Sequence, residues 1–398
     1  MLRHQEKRER NLSDITLAPN RWEALDLLRG LSVVGMILNL FPGDWATRYG
    51  WLDHAKWNGV TLIDMVAPAF LFCAGAGIAI SFGRRLDRGI TRAALFGALL
   101  RRMAVLIVIG VIINGIPHFD LAHWRLPGVV QRIGLACLLT GSIMLLCAGR
   151  GADGRRKLTP LPLAASGIAI LILYAVLLLY VPVPGLGEPR LDQYGSWPSQ
   201  IDRAVFGNTH LWEYGFPPDS HTVVYDPDGL LSTIPVCFNL LAGAVTALLW
   251  RPVRSSHSQL RAALAGGAMV ALAFLLDPVL PINKSLWTSS FALLSTGFSL
   301  VVLATLACLP PSRWLRTAFY PVNAFGNNPL LAFILCWSLF PWLDVKGADG
   351  GTLREAGQSV LVHLLPPAHA SMLFGLIATA LLALPILYCQ RKGWFLRL

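Results

Sequence analysis

Long apolar stretches alternate with short polar ones along almost the whole chain. A run of about 20 apolar residues is long enough to cross the hydrocarbon core of a bilayer as a helix. The pattern therefore predicts an all-α fold, a polytopic membrane helix bundle of about ten transmembrane helices. We expect these helices near 25–42, 60–82, 101–116, 128–148, 159–181, 229–250, 261–277, 286–308, 326–343 and 369–390.

Regions outside these helices differ from them in composition. Residues 1–22 are polar and rich in arginine, without a cleavable signal peptide, and are interpreted as a basic cytoplasmic tail. Residues 23–398 then form a single transmembrane domain. Within it, the long loop 182–228 is rich in Pro, Gly, Asp, Trp and Tyr and is predicted to be an ordered outer cap. Residues 344–368 form a second predicted outer loop, in which a partial helix can follow Gly350.

The positions of the basic residues predict an orientation for the bundle. With the N-terminus inside, the predicted inner segments carry 23 of the 33 Lys and Arg residues, and the outer loops carry eight. Lys and Arg concentrate in cytoplasmic loops of membrane proteins. An even number of helices, with both termini in the cytoplasm, follows from this distribution.

Composition supports the membrane interpretation. The chain of 398 residues is 55% hydrophobic and 14% charged, whereas soluble domains carry about 25% charged residues. A net charge of +11 is compatible with nucleic-acid binding, but the basic residues sit between apolar runs, so no nucleic acid is expected. The seven cysteines lie in or beside apolar runs without a Cys/His cluster, so we expect neither disulfides nor a metal site.

Polar residues at the start of the second helix indicate candidate chemistry. His54, Trp57 and Asn58 precede this helix, and Asp64 lies about one turn inside it. A histidine can accept a proton from an amine or hydroxyl nucleophile near neutral pH, and an aspartate behind it fixes its tautomer. The alternative is a loop histidine with Asp64 capping the helix.

Three further polar clusters begin later helices at the same predicted outer end. Helix capping and interfacial Arg, Lys or Trp side chains explain each cluster taken alone. Asn and Lys can also donate hydrogen bonds to a sugar, and Trp offers an apolar ring face. The convergence of all four clusters predicts one polar chamber that opens outward. The three clusters are Gln131 with Arg132, Asp226 with Asp228, and Asn283 with Lys284 and Trp287.

The predicted inner end has its own candidates for ligand binding. Arg29 and the asparagines Asn323, Asn327 and Asn328 lie near helix ends beside basic loops. Such loops are normal on the cytoplasmic side, but they can also bind a phosphate-bearing ligand, for which Arg is well suited. Neither a GxGxxG motif nor a P-loop is present.

Several of these segments, in this order, resemble one known family. The chain is similar to the heparan-α-glucosaminide N-acetyltransferase family, and within it to the branch of the bacterial inner membrane. The block His-Ala-x-Trp-Asn-Gly-x-Thr-x-x-Asp is the most specific part of the match. The matching segments are RWEALDLLRGLSVVGMILNL, LDHAKWNGVTLIDMVAPAFLFCAGAGIAISF, LPGVVQRIGLA, YDPDGLLSTI, INKSLWTSSFALLSTGF and NAFGNNPLL.

The resemblance implies transfer of acetyl from cytosolic acetyl-CoA to the amine of glucosamine or of a terminal glucosamine on the outer side. It also implies a homodimer. The active-site histidine of the family corresponds to His54, and Asn58 or Lys284 is a candidate donor to the oxyanion. Arg29, Asn327 and Asn328 are candidate contacts for acetyl-CoA. The matching pocket positions are Asn58, Asp64, Gln131, Arg132, Asn283 and Lys284, and we add Trp57, Asp226 and Trp287 as candidate substrate contacts.

Alternatives to this interpretation stay open. His54 can act as a general base for direct transfer, or it can carry the acetyl group as a covalent intermediate. An amino-sugar transporter would use the same chamber, and an O-acyltransferase would use the same donor with a hydroxyl acceptor on envelope polysaccharide. A structural membrane subunit explains the hydrophobicity but not the clustered polar residues.

Overall fold

The computed structural model describes residues 23–151, 154–217, 219–250, 256–310, 312–348 and 350–396. These residues form fourteen α-helices, several short 3-10 helices and one minimal β-hairpin, Gly149–Arg150 paired with Arg156–Lys157. The first seven helices are α1 Glu23–Leu40, α2 Val66–Asp87, α3 Arg92–Asn114, α4 Val129–Cys147, α5 Pro160–Tyr180, α6 Trp197–Phe206 and α7 Thr233–Leu249. The others are α8 Ser256–Leu276, α9 Ser289–Ala307, α10 Arg313–Ala318, α11 Tyr320–Asn327, α12 Pro329–Leu339, α13 Leu353–Val362 and α14 Pro367–Lys392.

Each of the ten predicted apolar segments coincides with helix, so the all-α membrane bundle is confirmed. Seven helices of the described residues are long and apolar enough to cross a membrane, judged by length and composition. Two further helices are not among these seven. Helix α7 is apolar but has only 17 residues, and α1 carries the charged residues Glu23, Asp26 and Arg29 within its 18 residues. The predicted tail, residues 1–22, lies outside the described part of the chain.

The ninth predicted segment, 326–343, is not one continuous helix. Helix α11 and the following segment Pro329–Asp344 meet at an angle of 89°. Pro329 has no amide N–H, and its ring disfavours helical backbone in the preceding residue. Asn328 accordingly leaves the helical region, with φ −124° and ψ 51°. The prediction of a single helix was therefore wrong at this break.

The third helix is longer than predicted. It begins at Arg92, where the Thr91 hydroxyl accepts a hydrogen bond from the amide of Ala94 (3.3 Å). Arg101 and Arg102, at the start of the predicted segment, therefore lie in the middle of α3. Long arginine side chains can bury their methylene stems along a helix while the guanidinium reaches polar surroundings. An arginine pair consequently does not mark the end of a membrane helix.

Helices α2 and α7 cross with their backbones in close contact. A Cβ atom added at Gly75 would lie 1.9 Å from the Leu240 carbonyl oxygen, and one at Gly243 would lie 1.9 Å from that of Phe72. Small residues at such crossings allow backbones to approach in membrane bundles. This contact is central to the core, since α2 also packs on α1 and α9.

We expect Gly75→Ala to destabilise the bundle by about 3 kcal/mol, because its new methyl group meets backbone atoms that cannot rotate away. Gly77→Ala is the matched control, since a Cβ at Gly77 has no heavy atom within 4 Å. Thermal unfolding of both variants in detergent measures the difference. Equal melting temperatures for the two variants would contradict the close crossing.

We call residues 182–217 and 219–228 the cap, and the end of the bundle against which they pack the cap end. Arg125 ties the cap down with two hydrogen bonds to Asp226, 2.6 and 2.8 Å long, and one of 3.1 Å to Asp228. Inside the cap, helix α6 presents the fully buried Asp202, whose carboxylate accepts from the amide of Leu230 (2.9 Å). The cap is therefore held at its C-terminal end by Arg125 and at α6 by Leu230.

Candidate active site

His54 and Asp64 form a hydrogen-bonded pair at the cap end. Asp64 lies in the 3-10 helix Leu62–Met65, which leads into α2, and makes a capping box with Thr61. Its Oδ2 accepts from the backbone amides of Thr61 (3.0 Å) and Ala55 (3.3 Å). Its Oδ1 lies 2.6 Å from Nδ1 of His54. The aspartate therefore caps the helix and also holds the histidine, so both interpretations of Asp64 apply together.

The pair presents one reactive nitrogen to its surroundings. Asp64 is fully buried, whereas 42% of the His54 side-chain surface is exposed. An ionised carboxylate only accepts hydrogen bonds, so Nδ1 of His54 carries the proton in this contact. The Nε2 atom then has a free electron pair, which is the requirement for a base or a nucleophile.

Lys284 completes this group, and we refer to His54, Asp64 and Lys284 as the reactive cluster. The lysine Nζ lies 3.1 Å from Asp64 Oδ1, and 3.0 and 3.3 Å from Nδ1 and Nε2 of His54. Burial and then the Lys284 charge lower the pKa of His54, against the opposing effect of Asp64. Burial likewise lowers the pKa of Lys284, while Asp64 acts in the opposite direction. These shifts favour a neutral His54 at pH 7.

We expect Lys284→Gln to move the acidic limb of the pH–rate profile to higher pH. The wild-type limb should lie below the usual histidine pKa of about 6.5, because the cluster lowers the pKa of His54. Removing the ammonium raises that pKa, so the basic form of His54 is lost at a higher pH as the solution is acidified. The profile of kcat/KM for acetyl transfer tests this, and an unmoved limb would contradict it.

The loops that carry His54 and Lys284 are joined to each other. Asn58 and Asn283 form an isolated antiparallel β-bridge, and the Asn283 amide nitrogen donates to Asn58 Oδ1 (3.1 Å). Gly59 N also donates to the carbonyl of Ile282 (2.8 Å). The Asn283–Asn58 bond does not consume the side-chain N–H donors of Asn58, which stays a candidate oxyanion donor. Asn283 is fully buried and acts here as a structural link.

Asn39 is part of the site although the sequence did not reveal it. This residue lies in the last turn of α1, and its Nδ2 is 3.2 Å from His54 Nε2. Its NH2 group therefore donates to the Nε2 electron pair, and an incoming acceptor has to displace this hydrogen bond before Nε2 can take its proton. Asn39 also lines a narrow cavity between α1 and α14, together with Arg48, Tyr49 and Ser371. The only sequence signal was an isolated amide in an apolar run.

Arg132 and Trp287 form a buried wall near the reactive cluster. The guanidinium of Arg132 lies 5.2 Å from the Trp287 ring centroid, donates to Ser232 Oγ (2.5 Å) and is 3.5 Å from Asp228. Trp287 is 2% exposed, and its indole N–H donates to Asn239 Oδ1 (3.0 Å). The indole is therefore unavailable as a sugar platform in this conformation, and its substrate-binding role stays a prediction.

Asp226 and Gln131 have structural partners of their own. Asp226 is buried and neutralised by Arg125. The Gln131 amide donates to the carbonyl of Leu126 (3.0 Å) and packs beside Gly110. Neither side chain is hydrogen bonded to the reactive cluster, so their direct contact with substrate stays a prediction. Trp57, by contrast, lies between the cluster and the cap, where its indole N–H donates to the Leu191 carbonyl (2.9 Å).

The predicted acetyl-CoA residues lie at the opposite end of the bundle. Arg29 pairs with Asp26 (2.7 Å), and its buried Nε has no hydrogen-bond partner among the described residues. Asn327 bonds to Gln390 (3.3 Å), and both polar side-chain atoms of Asn328 bind the backbone of the segment Trp394–Leu396. Arg29 thus keeps an unused donor, whereas Asn328 is occupied by the chain itself.

This fold and this site define a multi-pass membrane protein with a polar, histidine-centred cluster at one end of its apolar helices. Residues 21–149, which contain His54 and Asp64, match the family model described as heparan-alpha-glucosaminide N-acetyltransferase, catalytic. Over this segment the chain is similar to the heparan-α-glucosaminide N-acetyltransferase family.

Two curated relatives match nearly the whole chain. It is 30% identical to heparan-alpha-glucosaminide N-acetyltransferase of Homo sapiens, over 96% of this chain and 60% of that protein. It is 28% identical to the protein of the same name from Mus musculus, over 94% and 60%. The chain thus spans about 60% of the length of these relatives.

Proposed function

We propose that this protein is a membrane-embedded acetyltransferase that moves acetyl from acetyl-CoA to the amine of glucosamine or of a terminal glucosamine. The observation that carries the proposal is the His54–Asp64 pair, in which a buried carboxylate leaves one imidazole nitrogen free to take a proton. The activity for which the two relatives are named is the second support.

Direct transfer needs one base and one oxyanion donor. The amine nitrogen attacks the thioester carbonyl, the C–N bond forms and the C–S bond breaks. His54 Nε2 accepts the proton that the amine loses and passes it to the departing thiolate, which leaves as CoA thiol. Asn39 Nδ2, Asn58 and Lys284 Nζ are the nearby donors for the carbonyl oxygen. Asp64 keeps the imidazole oriented throughout.

The donor and the acceptor approach from opposite ends in this proposal. Arg29 lies ten residues before Asn39 on the continuous helix α1, which is about 15 Å at 1.5 Å per residue. Basic side chains at the Arg29 end suit the phosphates of CoA. The thioester arm would then run along α1 towards His54, while the acceptor binds beneath the cap. With the charge-derived orientation, the cap faces the periplasm of a bacterial inner membrane, and the protein assembles as a homodimer.

Two variants of this chemistry lead to different products or intermediates. A covalent acetyl-histidine would retain label from acetyl-CoA on the protein in the absence of acceptor. A hydroxyl acceptor would give an acetyl ester in place of an amide, since the same base can deprotonate either group.

The test is transfer of labelled acetyl from acetyl-CoA to glucosamine by the purified full chain in detergent. Label in N-acetylglucosamine is the expected result. Stabilisation of the protein by acetyl-CoA without transfer would point to another acceptor. The absence of both acetyl-CoA binding and acetyl transfer would favour an amino-sugar transporter and overturn the proposal.

A further inference from the structure

Four aromatic side chains extend from the reactive cluster across the cap. Trp57 and Tyr225 have ring centroids 5.2 Å apart, Tyr225 and Trp212 are 6.4 Å apart, and Trp212 and Tyr214 are 5.7 Å apart. We call Trp57, Tyr225, Trp212 and Tyr214 the aromatic row. Trp57 lies three residues after His54, so the row begins at the reactive cluster and leads away from it.

The row retains open surface. Tyr214 is 60% exposed and Trp57 and Trp212 are partly exposed, whereas Tyr225 is buried between them. The three ring pairs meet edge to face, with interplanar angles of 64° to 76°. Such a contact covers at most one face of one ring, so ring faces stay free for a ligand. An anchor in the membrane interface is a weaker explanation, because the Trp57 indole N–H is bonded inside the protein to Leu191.

Carboxylates accompany the aromatic rings. Glu213 is exposed and lies between Trp212 and Tyr214 in the sequence. Burial and then the Glu213 carboxylate raise the pKa of Tyr214, and Asp344 adds a smaller effect, so both acids lie close to this ring.

Residues 182–228 contain seven Asp and Glu residues against two Arg and no Lys. Asp202 is buried, and Asp226 and Asp228 are paired with Arg125, which leaves four acids to act at the cap surface. The acidic excess at this surface favours cationic over anionic ligands.

We propose that the aromatic row binds the second and following sugars of an oligosaccharide whose units are amino sugars with free, cationic amines. This inference rests on the proposed function and specifies its acceptor. Aromatic faces bind ammonium groups and the apolar faces of sugar rings, and Glu213 supplies the opposite charge. The same features disfavour a sulfated, polyanionic chain. The relatives are named for a heparan substrate, so the cap of this chain would mark a different acceptor.

The kinetic test compares three acceptors with the purified full chain: glucosamine, the β1,4-linked disaccharide of glucosamine, and a sulfated heparin disaccharide with a terminal glucosamine. The glucosamine disaccharide should have a kcat/KM about five-fold or more above that of glucosamine, and the sulfated one should fall below both. Added salt should lower kcat/KM for the cationic disaccharide. A disaccharide that is no better than glucosamine, or a preferred sulfated acceptor, would overturn the proposal.

Two variants locate the effect on the row. Trp212→Ala should lower kcat/KM for the glucosamine disaccharide about five-fold, through KM, and should reduce its preference over glucosamine. Glu213→Gln should weaken the same disaccharide but not one whose second sugar is N-acetylated and therefore neutral. Trp314→Ala is the matched control, since Trp314 is 74% exposed on α10, next to Arg316, which pairs with Glu23 at the far end of α1. Equal losses for both acceptors in Trp212→Ala would contradict a subsite.

Binding without turnover separates this proposal from the proposed activity. The glucosamine disaccharide should raise the melting temperature of wild type and Trp314→Ala in the absence of acetyl-CoA, and the shift should be smaller in Trp212→Ala. Binding of this kind without acetyl transfer would overturn the proposed function but keep the aromatic row. Acetyl transfer to glucosamine, with no change in melting temperature on adding the disaccharide to any of the three proteins, would keep the proposed function and overturn the aromatic row.

Discussion

His54→Ala is expected to lower the rate of acetyl transfer at least about 100-fold while the protein stays folded. A positioned general base contributes about 10²- to 10⁴-fold to a rate, and loss of a nucleophile has an effect at least as large. His54 is 42% exposed at the side chain, so its removal leaves no large cavity in the core. The measurement is kcat for transfer to glucosamine, with the melting temperature as the control for folding.

The same variant separates the two forms of the mechanism. Imidazole added to His54→Ala should restore part of the rate if the residue acts only as a base. Wild-type protein given labelled acetyl-CoA alone should retain label only if an acetyl-histidine forms. A stable His54→Ala protein with normal turnover would remove His54 from the mechanism.

Asp64→Asn is expected to lower the rate about 100-fold or more with little change in volume. The amides of Thr61 and Ala55 need an acceptor at the Oδ2 position, so the Asn carbonyl oxygen has to stay there. The Asn NH2 group then faces His54 Nδ1 and donates to it. This forces the proton onto Nε2, where the free electron pair is required, and a wrong tautomer costs a comparable histidine site up to about 10⁴-fold.

A structural role for Asp64 alone would give another outcome. The variant would then lose stability, but its remaining folded fraction would turn over at the wild-type rate. Thermal unfolding and kcat per folded protein therefore distinguish the two roles. Asn39→Ala offers a comparison at the other ring nitrogen, because Asn39 contacts Nε2 without an ion pair.

The bundle was predictable because a membrane helix needs one continuous apolar run, which is visible in the sequence. All ten runs are helical for this reason. The break at Asn328 was missed because a proline inside an apolar run is tolerated in many membrane helices. The start of α3 was placed too late because its apolar run was taken to begin at the pair Arg101 and Arg102, whereas the helix already begins at Arg92.

Contacts of the candidate site between residues close in the sequence were predictable, whereas contacts between distant segments were not. His54 and Asp64 are ten residues apart, and their pairing followed from the chemistry of the two side chains. The contact of Lys284 with both depends on a bridge between distant loops, which spacing alone cannot show. Asn39 gave only the signal of one amide in an apolar helix. The burial of Trp287 was not visible in the sequence, because an indole suits an interface and a buried hydrogen-bonded position equally.

The Asn58–Asn283 bridge bears on how the acceptor preference of such a protein can change during evolution. The bridge fixes the spacing of His54 and Lys284 through hydrogen bonds that involve neither residue. The surface that would meet the rest of the acceptor, by contrast, belongs largely to the cap, which is fastened separately through Arg125. In the proposed function, proton transfer and acceptor preference therefore depend on parts of the chain that are attached separately. Exchange of cap segments between this chain and its relatives is expected to change acceptor preference while His54, Asp64 and Lys284 keep their arrangement.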